Sequence, residues 1–496
     1  MNQPLTPPAR RRPAGASILA LAIAAALSGC AAMPKAPPTI AMKTAADYAS
    51  AESLVSDPAA WPRDDWWREF RDPQLDALMA EALADSPSIA IALARLRGAE
   101  AASQFAGAAL KPTVTGSAAV TEERQSYNYL MPRAATPQGW NDYGQVSVNL
   151  GWEIDFWGKN RAALAAALSE QRASEIEVAQ TRVMLSSAVG LAYAELSHLY
   201  STRDSVEAAV AVRTQTLSLV RQRQAQDLLT LDTVRQAEAR EAAAEAELQF
   251  VDEGIRLQKS ALAALIGAGP DRALRIVRPT AQVTEPFGLP ANASLELLGR
   301  RPDIAAARLR AEAAARRIDQ HKAEFYPSVN LMAVGGFLSL GLDNLAKSGA
   351  TYGSVGPAIS LPIFNTDRLQ GQLKGSYAEY QAAVAAYNAA LLNALHEVAD
   401  VVTSRHALDG ELHSLELSVK AAEEAHRLVT ARYQGELTTY LDVLSAEDAL
   451  IATRRSLADA RSRDLALHVG LMQALGGGFG TPGTPASTIT TQTVRN

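Results

Sequence analysis

Cysteine is almost absent from this chain: Cys30 is the only one in 496 residues. One cysteine excludes an internal disulfide and any zinc site built from several cysteines. Aromatic residues make up only 6% of the chain, which favours long packed helices over a β-rich enzyme core. The formal net charge is −6 and no basic stripe is present, so nucleic-acid binding is not expected.

Catalytic and metal-binding motifs are also lacking. The seven histidines show no metal-ligand spacing, and the sequence has no Gly-rich phosphate loop, nucleophile elbow or plausible catalytic triad. The sequence therefore predicts neither an enzyme nor a protein with a metal or an organic cofactor.

Proline is missing from two long stretches, residues 159–223 and 368–433, and glycine is scarce in both. Alanine, leucine, valine, glutamate and arginine dominate there, and these residues form or tolerate helices. A continuous helix of that length spans roughly 100 Å, far more than a globular helix. This length predicts coiled-coil or tubular packing.

The N-terminus has the pattern of a secretory signal. Arg10, Arg11 and Arg12 precede an apolar run from 18 to 27, which is too short to span a bilayer as a mature helix. The run ends in Leu-Ser-Gly-Cys, which resembles the lipobox of bacterial lipoproteins, whose cysteine is acylated after cleavage. The resemblance implies a covalent lipid on Cys30, and Ala31 after it implies sorting to the outer membrane. The alternative is an ordinary signal peptide with an incidental cysteine.

The chain contains one long unit twice, about 210 residues apart. Ser-Pro-Ser-Ile at 86–89 recurs as Arg-Pro-Asp-Ile at 301–304, and Leu-Asp-Thr-Val at 231–234 recurs as Leu-Asp-Val-Leu at 441–444. A Leu-Ile-Gly string at 265–267 likewise matches Ala-Leu-Gly at 474–476. Landmarks in one order at nearly one offset indicate two copies of a large supersecondary unit.

Each copy contains a pair of segments in which apolar and small or polar residues alternate. The clearest runs from Gln145 to Ile154. Strict alternation predicts strands with one apolar and one polar face, and about ten residues is the length of a tilted membrane-spanning strand. Pro357 makes the last of the four segments the least regular, because proline is costly in a central strand.

These patterns predict a mostly helical chain with membrane β-strands, divided as follows. Residues 1–29 form a signal peptide, 30–62 a lipid-anchored tether, 63–270 the first repeat, 271–290 an equatorial linker, 291–476 the second repeat and 477–496 a flexible tail. The predicted strands are 113–121, 143–154, 328–337 and 352–363, and the predicted helical hairpins are 159–266 and 368–475.

Four strands cannot close a membrane barrel, since bacterial barrels begin at eight strands and an open edge leaves backbone groups unpaired in lipid. Other copies of the chain must complete it. Two copies would supply eight strands, whose lumen is filled by side chains, and three would supply twelve. The small polar strand faces suit a water-filled lumen, which favours three copies.

The order of several strings resembles the TolC-like outer-membrane factors, and most of all the NodT-like lipoprotein branch of RND-type efflux systems. These strings are DFWGKNR at 155–161, RRPDI at 300–304, FYPS at 325–328 and YLDVL at 440–444. The resemblance implies a trimer with a 12-stranded β-barrel continued by a 12-helix α-barrel. It also implies passive conduction of drugs or other small molecules, delivered by a periplasmic adaptor and an inner-membrane RND transporter.

Candidate functional residues lie near the two hairpin turns. Asp232 and Asp442 follow the turns and are gate candidates, either lining the pore or stabilising a helix N-terminus. Packing and hydrogen bonds around Tyr433 and Arg432 are expected to hold the closed end. The candidates for contact with the adaptor are Ala225, Gln226, Gly435 and Glu436. Family members usually carry glycine three residues after the tip tyrosine, where this chain has Glu436, so the shape of the turn stays open.

A different class of protein would share some of these features. A periplasmic coiled-coil adaptor, or a structural lipoprotein without a channel, would also contain long helical hairpins. Two hairpins together with four strands of membrane length favour the channel.

Lipidation of Cys30 is directly testable. Intact-mass measurement of the purified protein should give a chain that begins at Cys30 and carries acyl groups, since several acyl chains are needed for stable anchoring. A mature chain that begins at Ala31, or an unacylated chain that begins at Met1, would contradict this prediction.

Overall fold

A computed structural model describes residues 33–50, 52–128, 131–283 and 287–480. In that part of the chain the first repeat contains α1 (Pro73–Asp85), α2 (Pro87–Ala108), β1 (Thr113–Glu123), β2 (Asn141–Ile154), α3 (Lys159–Gln224) and α4 (Leu231–Leu265). The second contains α5 (Ala293–Arg300), α6 (Pro302–Ala323), β3 (Ser328–Leu340), β4 (Thr351–Ser360), α7 (Thr366–Gln434) and α8 (Tyr440–Ala474). The repeats thus have the same order of elements, which confirms the internal duplication.

The strand and helix bounds agree with the predicted ones to within a few residues. β1, β2 and β3 are slightly longer than predicted, whereas β4 ends at Ser360, three residues before the predicted end at 363. Pro362 follows closely, and proline cannot donate a hydrogen bond to a strand ladder. The apolar alternation at Leu361 and Ile363 therefore continues past the end of the strand.

Two compact units divide the chain. The first contains Gly98–Arg172 and Arg308–Ala385, with the described part of the first 41 residues, and it holds the sheet. The second contains Met42–Arg97, Ala173–Ala307 and the described residues from Ala386 onward. It holds most of α3 and α7 and both returning helices, α4 and α8.

The sheet of the first unit is an antiparallel meander in the order β1-β2-β3-β4. The strand pairs of the two repeats are joined where β2 pairs with β3, from Tyr143 opposite Leu340 to Ile154 opposite Val329. Among the described residues, β1 and β4 each pair with a strand on one side only. The last strand therefore lies at an edge, which is where a sheet tolerates a proline such as Pro357.

The register gives the sheet two chemically different faces. One row across it consists of Val114, Leu150, Ala333 and Val355, which lie opposite one another in successive strands. Directly opposite residues share a face, so this apolar row lies on one side of the sheet.

The other face carries polar side chains on β1, β2 and β4 that bond to one another. The Oγ atoms of Ser117 and Ser147 are 2.8 Å apart, and Gln145 Nε2 donates to Tyr352 Oη at 2.8 Å.

This second face is not uniformly polar. β3 places Val334 opposite Asn149 and Leu338 opposite Gln145, so apolar side chains also lie there. The predicted alternation is thus confirmed for the apolar face, whereas the face expected to be polar is mixed.

Two of the strings that carry the family resemblance, DFWGKNR at 155–161 and FYPS at 325–328, lie together at one end of the strands. Trp157 Nε1 donates to the Pro327 carbonyl oxygen at 2.8 Å, and the Trp157 and Tyr326 rings stack with centroids 4.6 Å apart. Asp155 accepts hydrogen bonds from the backbone N–H groups of Asn160 and Arg161, which caps the start of α3. The strings therefore fix where strand passes into helix.

The core of the second unit forms around Asp72, which caps α1. Asp72 Oδ1 accepts from Gln74 N at 2.9 Å, and Oδ2 accepts from Tyr193 Oη and Thr280 N, both at 2.7 Å. The Tyr193 ring is fully buried, together with Trp66. One carboxylate therefore joins α1, α3 and the segment that follows α4.

The stretch Pro73–Ala108 is long and apolar enough to cross a membrane by length and composition alone. Its α1 part, however, places Leu78 and Met79 fully buried in the core of the second unit. We therefore interpret α1 as a packed core helix.

The segments predicted to be a tether, a linker and a flexible tail all contain packed residues. Cys30 and the signal peptide lie outside the described residues, but the predicted tether is packed from Lys43 onward: Lys43 N donates to Asn388 Oδ1, and Ala45 is 3% exposed. In the predicted linker, Ile276 is buried. Apolar side chains in both segments are held against the core, because their burial is favourable.

The predicted tail from 477 also begins with packed residues, and residues 481–496 lie outside the described part. Gly476 has φ +90° and Gly478 has φ +84°. A Cβ atom on Gly476 would lie 2.0 Å from the Arg300 carbonyl oxygen, and one on Gly478 would lie 2.2 Å from the Arg63 carbonyl carbon. These glycines permit close backbone packing at the end of α8.

The Arg-Pro-Asp-Ile string has a structural role in the same region. Arg301 is buried and binds Asp303 through two hydrogen bonds, of 3.0 and 2.7 Å. It also donates to Glu397 on α7 and to the Ala474 carbonyl oxygen at the end of α8. One guanidinium therefore connects three helices of the second repeat.

Gly476→Ala should destabilise the protein by at least ~1 kcal/mol, because alanine is strained at positive φ and its Cβ meets backbone. The matched control is Gly410→Ala in α7, where no atom lies within 4 Å of the added Cβ. That change should stabilise the helix by about 0.5–1 kcal/mol. Thermal unfolding followed by circular dichroism should show opposite shifts, and equal shifts would contradict the packing role of Gly476.

Candidate functional site

The predicted site residues within the described chain lie at the two hairpin turns of the second unit. The first turn, residues 225–230, joins α3 to α4, and the second, residues 435–439, joins α7 to α8. We call these residues, with the helix ends beside them, the tip.

Both long helices end in the same way. Leu228 N donates to the Arg223 carbonyl oxygen at 3.0 Å, and Leu437 N donates to the Arg432 carbonyl oxygen at 2.9 Å. The residues just before these leucines, Asp227 and Glu436, have φ of +61° and +62°. This hydrogen bond across a left-handed residue is the Schellman ending of a helix. The two turns therefore have the same backbone design.

This geometry explains the unusual residue at the second turn. The left-handed position after a helix is most often glycine, and here Glu436 occupies it. Gly435 precedes it without positive φ, and a Cβ on Gly435 would meet nothing closer than 3.7 Å. The family pattern of a glycine at the position of Glu436 thus fits the backbone, and the turn keeps its shape without one.

The equivalence of the two turns differs by one residue from the sequence prediction. α4 and α8 each contain 35 residues and begin 209 positions apart. Gln226 therefore corresponds to Gly435 and Asp227 to Glu436, whereas the offset of 210 between the Leu-Asp strings predicts Ala225 and Gln226 at these two places. The aligned Leu-Asp strings suggested an offset of 210, whereas the helix ends define the structural one.

The offset of 209 also means that the two gate candidates, Asp232 and Asp442, do not occupy equivalent positions. Thr439 is the N-cap of α8 and Asp442 is its third residue, and they form a capping box. Thr230 is the N-cap of α4, whose third residue is Thr233, with the two hydroxyl oxygens 3.1 Å apart. Asp232 is therefore not the structural partner of Asp442; it is an exposed second residue.

Asp442 is bound closely to its own helix start. Its Oδ2 accepts hydrogen bonds from the Thr438 and Thr439 hydroxyls at 2.6 Å each and from Thr439 N at 3.0 Å. These bonds, led by that from Thr438 and helped by the charge of Arg432, lower the pKa of Asp442 to about 2. The carboxylate is therefore ionised, exposed and fixed in orientation at neutral pH.

Tyr433 is brought into contact with a residue that the sequence prediction missed. The Arg223 guanidinium lies 4.2 Å from the centre of the Tyr433 ring and donates to the carbonyl oxygens of Tyr433 at 2.6 Å and Gln434 at 3.2 Å. The ring is 2% exposed. A cation–π contact and two charged hydrogen bonds thus join the end of α3 to the end of α7.

The expected hydrogen bonds around Tyr433 take a different form. In the described part of the chain its hydroxyl has no hydrogen-bond partner, so the ring and the main chain make the contact. Arg432 is exposed and contributes its carbonyl to the Schellman bond. Arg223 could have been suspected from the matching arginine at Arg432, 209 positions later, but its aromatic partner on another helix cannot be read from the sequence.

The outer surface of the tip carries four leucines that are each more than half exposed. They are Leu228, Leu231, Leu437 and Leu441. The predicted contact residues Ala225, Gln226, Gly435 and Glu436 are exposed beside them. Within the described residues, no group of three or more histidine, cysteine, aspartate or glutamate side chains is placed to hold a metal ion.

Glu436→Gly should stabilise the tip by about 1 kcal/mol, because glycine adopts the left-handed conformation without the steric cost that glutamate pays. Gly435→Ala is the neighbouring control and should change stability little, since its Cβ has room. Hydrogen exchange of the peptide covering 430–442 should slow in the first variant. Unchanged or faster exchange would contradict the strain at Glu436.

Comparison with known proteins follows the two repeats. A family model described as outer membrane efflux protein matches residues 78–268 and 294–477. The fusaric acid resistance protein FusA of Burkholderia cepacia is 32% identical over 96% of this chain and 92% of its own. The multidrug resistance outer membrane protein MdtP of Escherichia coli K12 is 30% identical over 91% of this chain and 94% of its own.

A solved structure shares both sequence and fold. The outer membrane protein VceC of Vibrio cholerae is 47% identical, with a TM-score of 0.80 over 84% of this chain and 100% of that chain. The matched segments contain the strands, both hairpins and the tip. The chain belongs to the outer membrane efflux protein family.

Proposed function

We propose that this protein is the outer-membrane exit duct of a tripartite efflux pump. It passively conducts small molecules that an inner-membrane RND transporter and a periplasmic adaptor deliver. The observation that carries this proposal is the four-stranded sheet. It has one apolar face, a second face with polar side chains on β1 and β2, and two edges that have no partner strand among the described residues.

The unpaired edges support a homotrimer. An apolar sheet face is suited to lipid, but β1 and β4 would each leave a row of backbone groups without partners in hydrocarbon. Pairing β1 of one copy with β4 of the next satisfies these groups. Three copies give twelve strands, enough for a passage lined by the polar face that contains Ser117, Ser147 and Gln145.

The tip supports a gated periplasmic end. Arg223 joins the two hairpins, and its loss would let the ends of α3 and α7 separate. In a trimer, the fixed and ionised Asp442 would recur three times near the opening, where a ring of carboxylates attracts cations. Asp232, which differs in position, would contribute a second and less ordered set of charges.

The apolar tip surface suits an adaptor. Leu228 and Leu437 occupy equivalent places just after the left-handed residues, and both are largely exposed. Exposed apolar patches with a polar surround mark protein interaction sites. These leucines, with the exposed Ala225, Gln226 and Gly435 between them, form the adaptor contact.

The relatives agree with this role, since the printed names of FusA and MdtP refer to resistance to fusaric acid and to many drugs. A lipid on Cys30 would add an anchor at the periplasmic side of the outer membrane. The rival role, a periplasmic adaptor or structural lipoprotein without a channel, leaves the apolar sheet face and the two open strand edges without a use.

The test is conductance in planar bilayers. The wild-type trimer should form channels of low conductance, and Arg223→Ala should increase the open fraction, about tenfold for each 1.4 kcal/mol of lost contact. Arg221→Ala is the matched control, because Arg221 pairs with Glu238 within the first hairpin at 2.9 Å. It should leave the open fraction near the wild-type value. A purified protein that forms no channels would contradict the proposed function.

A further inference from the structure

The carboxylate of Glu447 is buried between the two hairpins, behind the tip. Glu447 lies on α8, two turns after Tyr440, and is 1% exposed. Its neighbours Arg213 and Thr216 belong to α3 of the other hairpin. A fully buried glutamate is rare unless its charge is well paired.

The pairing of this carboxylate is incomplete. Thr216 Oγ1 donates to Oε2 at 3.0 Å. Arg213 Nε lies 3.4 Å from Oε1, but in the described chain neither of these two atoms makes a hydrogen bond. One oxygen of an ionised Glu447 is therefore left without a donor, which is costly in a buried place.

The other charged and titratable groups around Glu447 come from four helices. From α4, Arg240 reaches Asp448 at 3.0 Å, and from α3, Arg213 lies 3.7 Å from Asp448. Tyr440 on α8 and Tyr433 on α7 complete the surroundings, and within the described residues neither hydroxyl has a hydrogen-bond partner. Two arginines thus face two acids, and burial raises the pKa of Tyr440 to about 12.

The first repeat provides an internal comparison. Glu238 on α4 holds the position equivalent to Glu447, 209 residues earlier, but it is partly exposed and binds Arg221 at 2.9 Å and Arg235 at 2.7 Å. Hydrogen bonds from Arg221 and Arg235 lower the pKa of Glu238. Burial raises the pKa of Glu447, and the bond from Thr216 offsets only part of that effect. The pKa values of these two equivalent carboxylates are thus shifted in opposite directions in the two hairpins.

We propose that Glu447 is a proton-operated lock between the hairpins: with a proton it holds α3 and α8 together behind the tip, and without one it loosens them. This lock rests on the proposed channel function, since it would regulate the same tip. The chemistry requires only a proton from the surrounding water.

The direction of the pH effect follows from the raised pKa of Glu447. A group whose pKa is raised in the folded state stabilises that state at low pH, and this contribution is lost as the pH rises through the folded value. The contact between α3 and α8 should therefore be tighter in acid than at neutral pH. Each unit of pKa shift corresponds to a tenfold change in the opening equilibrium.

Hydrogen exchange of the full-length trimer in detergent, corrected for the intrinsic pH dependence of exchange, tests the lock directly. In the wild-type protein, peptides covering 210–224 and 440–450 should exchange several-fold more slowly at about pH 5 than at about pH 7.5. Glu447→Gln, a neutral isostere of the protonated acid, should abolish this difference. Glu238→Gln, the matched change in the first hairpin, should leave it intact.

A second variant covers the possibility that the amide repacks the site. Thr216→Val removes the donor that favours the charged carboxylate, so the pH at which protection is lost should move upward. The lock is overturned if the wild-type tip shows no pH-dependent protection, or if Glu447→Gln retains the wild-type dependence.

Bilayer recordings separate this inference from the proposed function. Channels that open more readily at about pH 7.5 than at about pH 5, with the difference lost in Glu447→Gln, support both. Channels whose pH response is unchanged in Glu447→Gln overturn the lock but leave the exit duct. If no channels form at either pH while Glu447-dependent protection persists, the lock stands and the exit duct fails.

Discussion

The unpaired edges of the four-stranded sheet are the constraint on which the rest of this architecture depends. In the part of the chain that the structure describes, β1 and β4 each have one row of backbone donors and acceptors that pairs with no strand. In hydrocarbon such groups have no water to bind, so every edge must find a strand. The register, kept across three ladders, places the apolar rows of the four strands on one face of the sheet. A slip of one residue in any ladder would move a whole strand's apolar side chains to the other face.

Each repeat contains one pair of strands and one helical hairpin, but the side chains at equivalent positions of the two repeats differ. The returning helices have equal length, and both long helices end in the same hydrogen-bond pattern. Yet Asp442 closes a capping box where the first copy has Thr233. Glu447 is buried where the first copy has the partly exposed Glu238. The backbone is thus nearly symmetric, while the side chains that could gate a tip are not.

The strings that carry the family resemblance have mostly structural roles. Asp155 and Trp157 fix the passage from strand to helix, and Arg301 joins α6, α7 and α8. Each string keeps a buried or bonded side chain at a place where helices or strands change direction. The contact of Arg223 with Tyr433, which we propose holds the closed end, lies outside the strings that identify the family.

The amino-acid sequence by itself determined the duplication, the strand faces, the long helices and the approximate position of both turns. These features depend on local periodicity and on where proline and glycine are placed, which can be read along one chain. The sequence prediction was wrong by one residue about which residues of the two turns are equivalent. The Leu-Asp strings recur at an offset of 210, whereas the helices that follow the turns begin 209 positions apart. It also predicted a flexible tail from 477, although Gly478 is packed, and it did not show that the residues around Lys43 and Ile276 pack against the core.

Only the tertiary structure decided which side chains meet across helices. The contact of Arg223 with Tyr433, and the burial of Glu447 against Arg213 and Thr216, join residues more than 200 positions apart. Helical periodicity shows which residues share a face, but not which face of another helix packs against it or at what height. A carboxylate two turns into a helix can therefore lie in water or be buried, and its proton affinity follows from that packing.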